Sequence, residues 1–143
     1  MTAHSLEFDR RHSYALHSAI TIPITLSSGG NNRVTLSAKL DTGSTYCIFE
    51  KRYADWLELE VTSGMPARIA TATGSFVCYG HEATLSVFDL EWQAVLYFAE
   101  ADDFTINVAG RVGFLDRLRV GIIDYEQLLY LGLYDQDLLL WAV

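Results

Sequence analysis

The stretch RVTLSAKLDTGSTYCIFE, Arg33 to Glu50, places an acidic residue between two apolar segments. Apolar side chains alternate up to Asp41, then Thr42, Gly43 and Ser44 follow, and a second apolar segment begins. An ionised carboxylate between two core-forming strands costs free energy unless other groups stabilise its charge. Asp41 therefore either caps a turn or is kept at this position for chemistry.

Length and charge limit what the protein is expected to bind. With 143 residues, half of them hydrophobic, the chain has the size of one compact domain. Ten basic and eighteen acidic residues give a formal charge of -8. This charge repels nucleic-acid backbones and anionic membrane surfaces, and no apolar run is long enough to span a bilayer. We expect no nucleic-acid or membrane partner; small molecules, peptides and basic proteins fit better.

The cysteines and histidines indicate neither a disulfide framework nor a metal site. Cys47 and Cys78 lie in separate apolar segments without a CxxC motif, as is typical of reduced core residues. The four histidines are scattered, so we expect no metal and no cofactor. No apolar segment follows the first arginines, so a secretory signal is not predicted and we expect a cytoplasmic protein. The sequence could also be a segment of a longer protein.

Short strand-like segments bounded by turn residues dominate the chain. AITIPITL and RVTLSAKL flank the turn cluster SSGGNN and predict a hairpin that leads to Asp41. EKRYADWLEL predicts a brief amphipathic helix, RVGFLDRL one or two further helical turns, and residues 125–127 a turn between two late strands. A second hairpin is predicted with Gly74 in its turn, followed by the strand EWQAVLYFAE. The pattern predicts an all-β barrel or sandwich with two short helices and no domain boundary.

The triplet Asp41-Thr42-Gly43 is a weak signal alone, because Asp-to-Gly turns between strands have an ordinary structural use. The surrounding sequence strengthens the signal that this triplet is functional. An apolar-apolar-Gly element, Val108-Ala109-Gly110, follows about seventy residues later and is continued by Arg111. The hairpin around Gly74 lies between the two elements.

This order resembles the retropepsin-like aspartic proteases, the single-domain relatives of retroviral protease. The resemblance runs from about Ile20 to the C-terminus. It divides the chain into a polar leader that is expected to be flexible, residues 1–18, and a protease domain, residues 19–143. It implies a small closed acid-protease barrel with one or two short helices that forms a homodimer.

The resemblance also implies roles for the residues around the acid. Asp41 supplies one catalytic aspartate per chain, and Thr42 interlocks the two loops across the dimer axis. Gly43 lets backbone approach the carboxylates closely. Ser44 is placed to donate a hydrogen bond to the outer carboxylate oxygen, which favours the ionised form.

Two further elements correspond to parts of that family. The hairpin at residues 67–81 matches the flap, which closes over substrate, although it carries fewer glycines than retroviral flaps. Its tip comprises Ala72, Thr73, Gly74 and Ser75. The second glycine element, which packs beside the catalytic loop, comprises Val108, Ala109, Gly110 and Arg111. Ala109 is small for its position, and Arg111 either pairs with an acid in the dimer or faces solvent.

The number of motifs predicts a dimer. Aspartic protease chemistry uses two carboxylates that share one proton, because two like charges so close cannot both ionise. The chain has one Asp-Thr-Gly; Asp116 and Asp124 are followed by Arg117 and Tyr125. The resemblance therefore implies an endopeptidase that hydrolyses extended peptide or protein substrates with water at a homodimer axis. The alternatives are a non-catalytic dimerisation or peptide-binding module, and a monomeric barrel in which Asp41 only caps a turn.

Two groups of apolar residues leave alternatives open. The closing segment LYDQDLLLWAV, residues 133–143, is either a dimer surface or an internal core strand. Most aromatic residues are expected to pack in the core rather than form pocket walls. They are Tyr46, Phe49, Trp56, Trp92, Tyr97, Phe98, Phe104 and Phe114.

Overall fold

A computed structural model describes residues 1–133, and within them the predicted all-β fold is confirmed. The described part of the chain contains ten strands, one α-helix and three short 3-10 segments. The helix, α1, spans Lys51–Trp56, as the amphipathic pattern predicts. The 3-10 segments are Val61–Ser63, Leu115–Arg117 and Asp124–Glu126. The strands are β1 (Arg10–Ser13), β2 (Thr21–Ser27), β3 (Arg33–Leu40), β4 (Ile48–Phe49), β5 (Met65–Thr71), β6 (Gly74–Val87), β7 (Leu90–Ala99), β8 (Val108–Ala109), β9 (Leu118–Ile123) and β10 (Leu128–Leu133).

Seven of these strands form the main sheet, in the order β2-β3-β8-β4-β7-β6-β5. An additional antiparallel pairing joins β2 to β6, from Thr25↔Ser86 to Ser27↔Thr84. This pairing closes β2, β3, β8, β4, β7 and β6 into a small barrel and leaves β5 outside the closed ring. Closure removes most of the free strand edges of the sheet.

Both predicted hairpins are present. β2 and β3 pair antiparallel around a turn in which Gly29 has a φ of 84°. β5 and β6 pair up to Thr71↔Gly74, which leaves two residues in the turn. β6 is long enough to pair with β5 through its first half and with β7 along its second half. The β5–β6 hairpin therefore extends beyond the part of β6 that pairs with β7.

The barrel interior is built by strict alternation of side chains. On β3, Leu36, Ala38 and Leu40 are buried and the residues between them are exposed, as a strand with one solvated face requires. Phe49, Phe98 and Phe114 are fully buried, and complete burial of such a ring contributes roughly 2 to 3 kcal/mol. Not every predicted core aromatic is inside, since Trp56 is 64% exposed.

The remaining strands form a second sheet in the order β1-β10-β9. β1 pairs antiparallel with β10 from Arg10↔Leu131 to Ser13↔Leu128. Residues 10–13 belong to the segment predicted as a polar leader, so part of that segment is a strand. The domain boundary at residue 18 stays a prediction, and the proposed roles of residues 134–143 lie outside the described residues.

Polar contacts connect the small sheet to the rest of the molecule. The Arg10 guanidinium donates through Nη2 to Asp89 Oδ2 at 2.9 Å, and Asp89 lies in the turn between β6 and β7. Within the small-sheet region, the Tyr14 hydroxyl donates to Asp124 Oδ1 at 2.6 Å and links the end of β1 to the segment between β9 and β10. Within residues 1–133, no helix is both long enough and apolar enough to cross a lipid bilayer.

Candidate active site

Asp41 begins a tight turn directly after β3. Its N–H donates to the Ala109 carbonyl at 3.0 Å, and its own carbonyl accepts from the Ser44 N–H at 3.2 Å. The Asp41 carboxylate accepts from the Gly43 N–H at 2.9 Å through Oδ1. Its second oxygen, Oδ2, accepts no hydrogen bond from the described residues. The backbone thus fixes the side chain and leaves one carboxylate oxygen open.

The second glycine element packs against this turn. β3 and β8 run parallel, with Lys39↔Val108 and Leu40↔Ala109 as partners. Beyond β8, the Arg111 N–H donates to the Ser44 carbonyl at 2.9 Å. The two elements singled out in the sequence, about seventy residues apart, are therefore neighbours.

Gly110 makes the close approach possible. A Cβ at this position would lie 2.2 Å from the Tyr46 carbonyl oxygen and 2.8 Å from that of Ser44. Both neighbours are backbone atoms that cannot rotate away, so only glycine fits here. Glycine is less strictly required at position 43, since a Cβ there would lie 3.2 Å from Asp41 Oδ1.

The predicted role of Ser44 is wrong in this chain. Its hydroxyl donates to the Tyr46 carbonyl at 2.7 Å rather than to the Asp41 carboxylate. The cause is the turn itself, which directs Oγ along the chain toward a carbonyl two residues later. The Asp41 carboxylate receives its stabilising hydrogen bond from the Gly43 backbone instead.

Thr42 and Arg111 lie together on one exposed groove. Thr45, Val112, Leu115 and Asp116 complete its wall, and the groove has a volume of about 390 Å³. Arg111 takes part in no ion pair among residues 1–133. The contact of Thr42 with a second chain stays a prediction, and so do both alternatives for Arg111.

A cleft of about 450 Å³ lies between the Asp41 turn and the β5–β6 hairpin. Its apolar wall includes Ile69, Phe76, Phe104 and Ile106, and the rings of Phe76 and Phe104 are 4.9 Å apart. The predicted flap tip, residues 72–75, does not line this cleft; the strand residues below the tip do. The sequence indicated the hairpin but not which of its residues face the acid.

Two charged residues of the cleft were not singled out in the sequence. Lys39 lines it from β3, and Arg68 lines it from β5. Lys39 stands two residues before Asp41, and residues two apart on a strand share a face. That spacing is the signal by which Lys39 could have been found. The position of Arg68 depends on how the hairpin folds over the barrel, which no local pattern reveals.

Cys47 lies behind the Asp41 turn but does not offer a nucleophile. Its side chain is fully buried, and burial raises the pKa of the thiol to about 12. The thiol therefore stays protonated at neutral pH, whereas a catalytic cysteine reacts as the thiolate.

In the described part of the chain, no cluster of three or more histidine, cysteine, aspartate or glutamate side chains is arranged to hold a metal ion.

Comparison with known proteins adds a fold-level result. No protein-family model matches the sequence, and no curated protein matches it. A solved structure of a retropepsin-like aspartic protease from Rickettsia conorii has a TM-score of 0.62 and 17% identity, and the match covers 85% of this chain and 96% of that one. The chain has the retropepsin-like fold. EIAV protease in complex with an inhibitor has a TM-score of 0.54 at 17% identity, with 70% of this chain and 88% of that chain covered.

The retropepsin-like fold confirms the resemblance inferred from the sequence at the level of architecture. Identity of 17% is a likeness of fold and assigns no role to a residue. The chemistry of this chain depends on its own site, where Asp41 lines a cleft beneath a hairpin.

Proposed function

We propose that this protein is an aspartic endopeptidase that acts as a twofold homodimer and cleaves extended peptides. One observation carries the proposal: within a retropepsin-like fold, the Asp41 carboxylate lies in a backbone-stabilised turn and faces a cleft. Gly43 supports it through its N–H, which donates to the carboxylate, and the glycine element supports it through the Ala109 carbonyl, which accepts from the Asp41 N–H.

The proposed reaction uses water as the nucleophile. One Asp41 carboxylate takes a proton from the water, whose oxygen bonds to the carbonyl carbon of the scissile peptide. The other Asp41, protonated, donates to the carbonyl oxygen. When the tetrahedral intermediate collapses, the C–N bond breaks and the amine leaves with a proton from the pair. The two carboxyl groups titrate together, since their proximity prevents both from ionising.

The need for a second chain follows from the residues around the cleft. Asp41 is the one carboxylate among the described residues that line it. A dyad therefore requires another carboxylate from outside the described chain, and twofold symmetry supplies a second Asp41.

The shape of the cleft supports an extended peptide as substrate. The β5–β6 hairpin extends over the cleft, and we propose that it acts as a flap, with its tip at residues 72–75 moving toward the partner chain. Strand backbone offers main-chain hydrogen bonds to an extended peptide, while the apolar walls accept its side chains.

A second candidate function is a peptide-binding or dimerisation module without turnover. The position of Ser44 favours it, because this hydroxyl is committed to the Tyr46 carbonyl and gives no support to the carboxylate. The cleft would then bind peptide without hydrolysing it.

The test compares wild-type protein with the Asp41→Asn variant on a diverse peptide mixture, from mildly acidic to neutral pH, with products identified by mass spectrometry. We expect cleavage by wild type and none by the variant, which keeps the side-chain size and loses the carboxylate. Asp103→Asn is the matched control, because Asp103 is exposed and makes no side-chain hydrogen bond or ion pair within residues 1–133. Undiminished cleavage by Asp41→Asn would exclude the aspartic mechanism.

We also propose a cytoplasmic location. Cys47 and Cys78 are both free and buried, and the thiol pKa of Cys78 is raised to about 11 by burial. Unpaired core cysteines are typical of proteins kept in a reducing compartment.

A further inference from the structure

Two cationic side chains face the same cleft as Asp41. Lys39 belongs to β3, and its side chain lies on the strand face that continues into Asp41. Arg68 belongs to β5 and approaches from the hairpin side. The cleft therefore carries two positive groups and one carboxylate, although acids outnumber bases in the chain as a whole.

Neither cation is neutralised by a neighbouring acid. The ion pairs formed within residues 1–133 include neither Lys39 nor Arg68. The Arg68 guanidinium donates to the Ser75 hydroxyl at 3.1 Å, which fixes its direction and leaves its charge uncompensated. Lys39 and Asp41 share the cleft wall without forming an ion pair, so the ammonium group remains available to a ligand.

Apolar side chains line the same cleft as the two exposed cations. Phe76 and Phe104 pack against each other in the same wall and are both partly buried. Charges beside apolar surface interact more strongly than charges in open water, because the effective dielectric constant is lower. A guanidinium also binds a carboxylate through two parallel hydrogen bonds.

We propose that the cleft selects peptides that carry an acidic side chain within a few residues of the scissile bond, with Lys39 and Arg68 as the groups that bind it. This inference rests on the proposed function of the same cleft. It runs against the charge of the whole molecule, since a formal charge of -8 attracts basic peptides at long range. The local cations and the global charge thus predict opposite preferences.

The test uses three peptides that differ at one position beside the cleaved bond, where they carry Glu, Gln or Lys. We expect wild-type kcat/KM to be highest for the Glu peptide, by about fivefold over Gln for each cation that contacts it. The variants Lys39→Gln and Arg68→Gln should each reduce this preference, and the double variant should abolish it. The wild-type preference should also shrink as the salt concentration rises.

Arg33→Gln is the matched control. Arg33 lies at the opposite end of β3, and its spacing of six residues from Lys39 places it on the same strand face. The substitution removes the same charge from the same face, outside the residues that line the cleft. The ratio of Glu to Gln cleavage should be unchanged in this variant.

Binding measurements separate failure of this inference from failure of the proposed function. Fluorescence anisotropy of labelled peptides on the Asp41→Asn protein reports affinity without cleavage. If wild type cleaves the Glu and Gln peptides equally, prefers Lys, or keeps its preference after both cations are removed, the inference is overturned and the endopeptidase stands. If nothing is cleaved but the Glu peptide binds more tightly and loses that advantage without Lys39 and Arg68, the selectivity stands and the endopeptidase fails. If no peptide is bound or cleaved, both are overturned.

Discussion

At the scale of single residues, Asp41 is both a turn-capping residue and a candidate for chemistry. Its Oδ1 accepts the Gly43 N–H, which is what a turn requires. Its Oδ2 accepts no hydrogen bond from the described residues, and Asp41 lines the cleft. The two explanations suggested by the sequence are therefore compatible, because one oxygen serves the turn and the other is left for a ligand.

Gly110 gives a direct test of how the turn is held. We expect Gly110→Ala to lower the free energy of unfolding by at least about 2 kcal/mol, since its Cβ would overlap two backbone carbonyls. Urea denaturation followed by circular dichroism measures this. Gly30→Ala is the control, with a nearest atom 4.0 Å from the added Cβ and an expected change within about 0.5 kcal/mol. Equal stability of the two variants would show that the glycine element is not packed against the Asp41 turn.

Sequence reasoning located Asp41 and its glycine partner but not their polar neighbours. The two motif residues can be recognised from the sequence alone, because one is an acid after an apolar strand and the other is a glycine after a second apolar strand. Lys39 occupies an alternating polar position of β3, which does not distinguish it from a residue that faces only solvent. The Ser44 hydroxyl was assigned to the carboxylate, whereas the turn directs it to the Tyr46 carbonyl. Side-chain direction inside a turn depends on backbone angles that the sequence does not specify.

At the scale of elements, the sequence predicted hairpins better than it predicted long-range pairing. The cluster SSGGNN marks the β2–β3 turn and Gly74 marks the β5–β6 turn, so both hairpins could be placed in advance. The pairing of β1 with β10 joins residues more than a hundred positions apart. β1 is short and largely polar, with the sequence RRHS, and therefore gave no strand signal of its own. Its partner supplies the hydrogen bonds that make it a strand.

The two hairpin turns allow a test of the proposed flap. Gly74 and Gly29 both have positive φ angles, 153° and 84°, and neither has an atom within 4 Å of an added Cβ. Replacing either with Ala should cost about 1 to 2 kcal/mol of stability through backbone strain. Only Gly74→Ala should also lower kcat/KM for peptides several-fold, because only that hairpin covers the cleft.

Steady-state kinetics and thermal denaturation of both variants distinguish a loss of catalytic efficiency from a loss of stability. Gly29→Ala serves as the matched control for strain without any change near the cleft. If both variants lose activity to the same extent, the loss reflects stability alone and the β5–β6 hairpin has no part in catalysis.

At the scale of the whole molecule, the described residues form a closed barrel with a cleft at the Asp41 turn. The described residues around the cleft supply one carboxylate, and the Thr42 and Arg111 groove beside it is exposed. Both features are explained if two chains meet with their Asp41 turns together. Alternation and turn residues predicted an all-β barrel or sandwich, because they limit a chain of this length to few architectures, and the resemblance implied the closed barrel. The dimer remains a proposal, because the association of two chains depends on the shapes of both contacting surfaces together.

The most direct measurement of the central claim is a subunit-mixing titration. Wild-type protein at constant concentration is co-refolded with increasing amounts of the Asp41→Asn variant, and peptide cleavage is recorded. If each site needs one Asp41 from each chain, activity should fall as mixed dimers form, to about half at equal amounts and to about a tenth at a ninefold excess. Asp103→Asn added in the same amounts should raise activity instead. Cleavage that stays constant as the Asp41→Asn variant is added would mean that a single chain is sufficient, and would contradict a site shared between two chains.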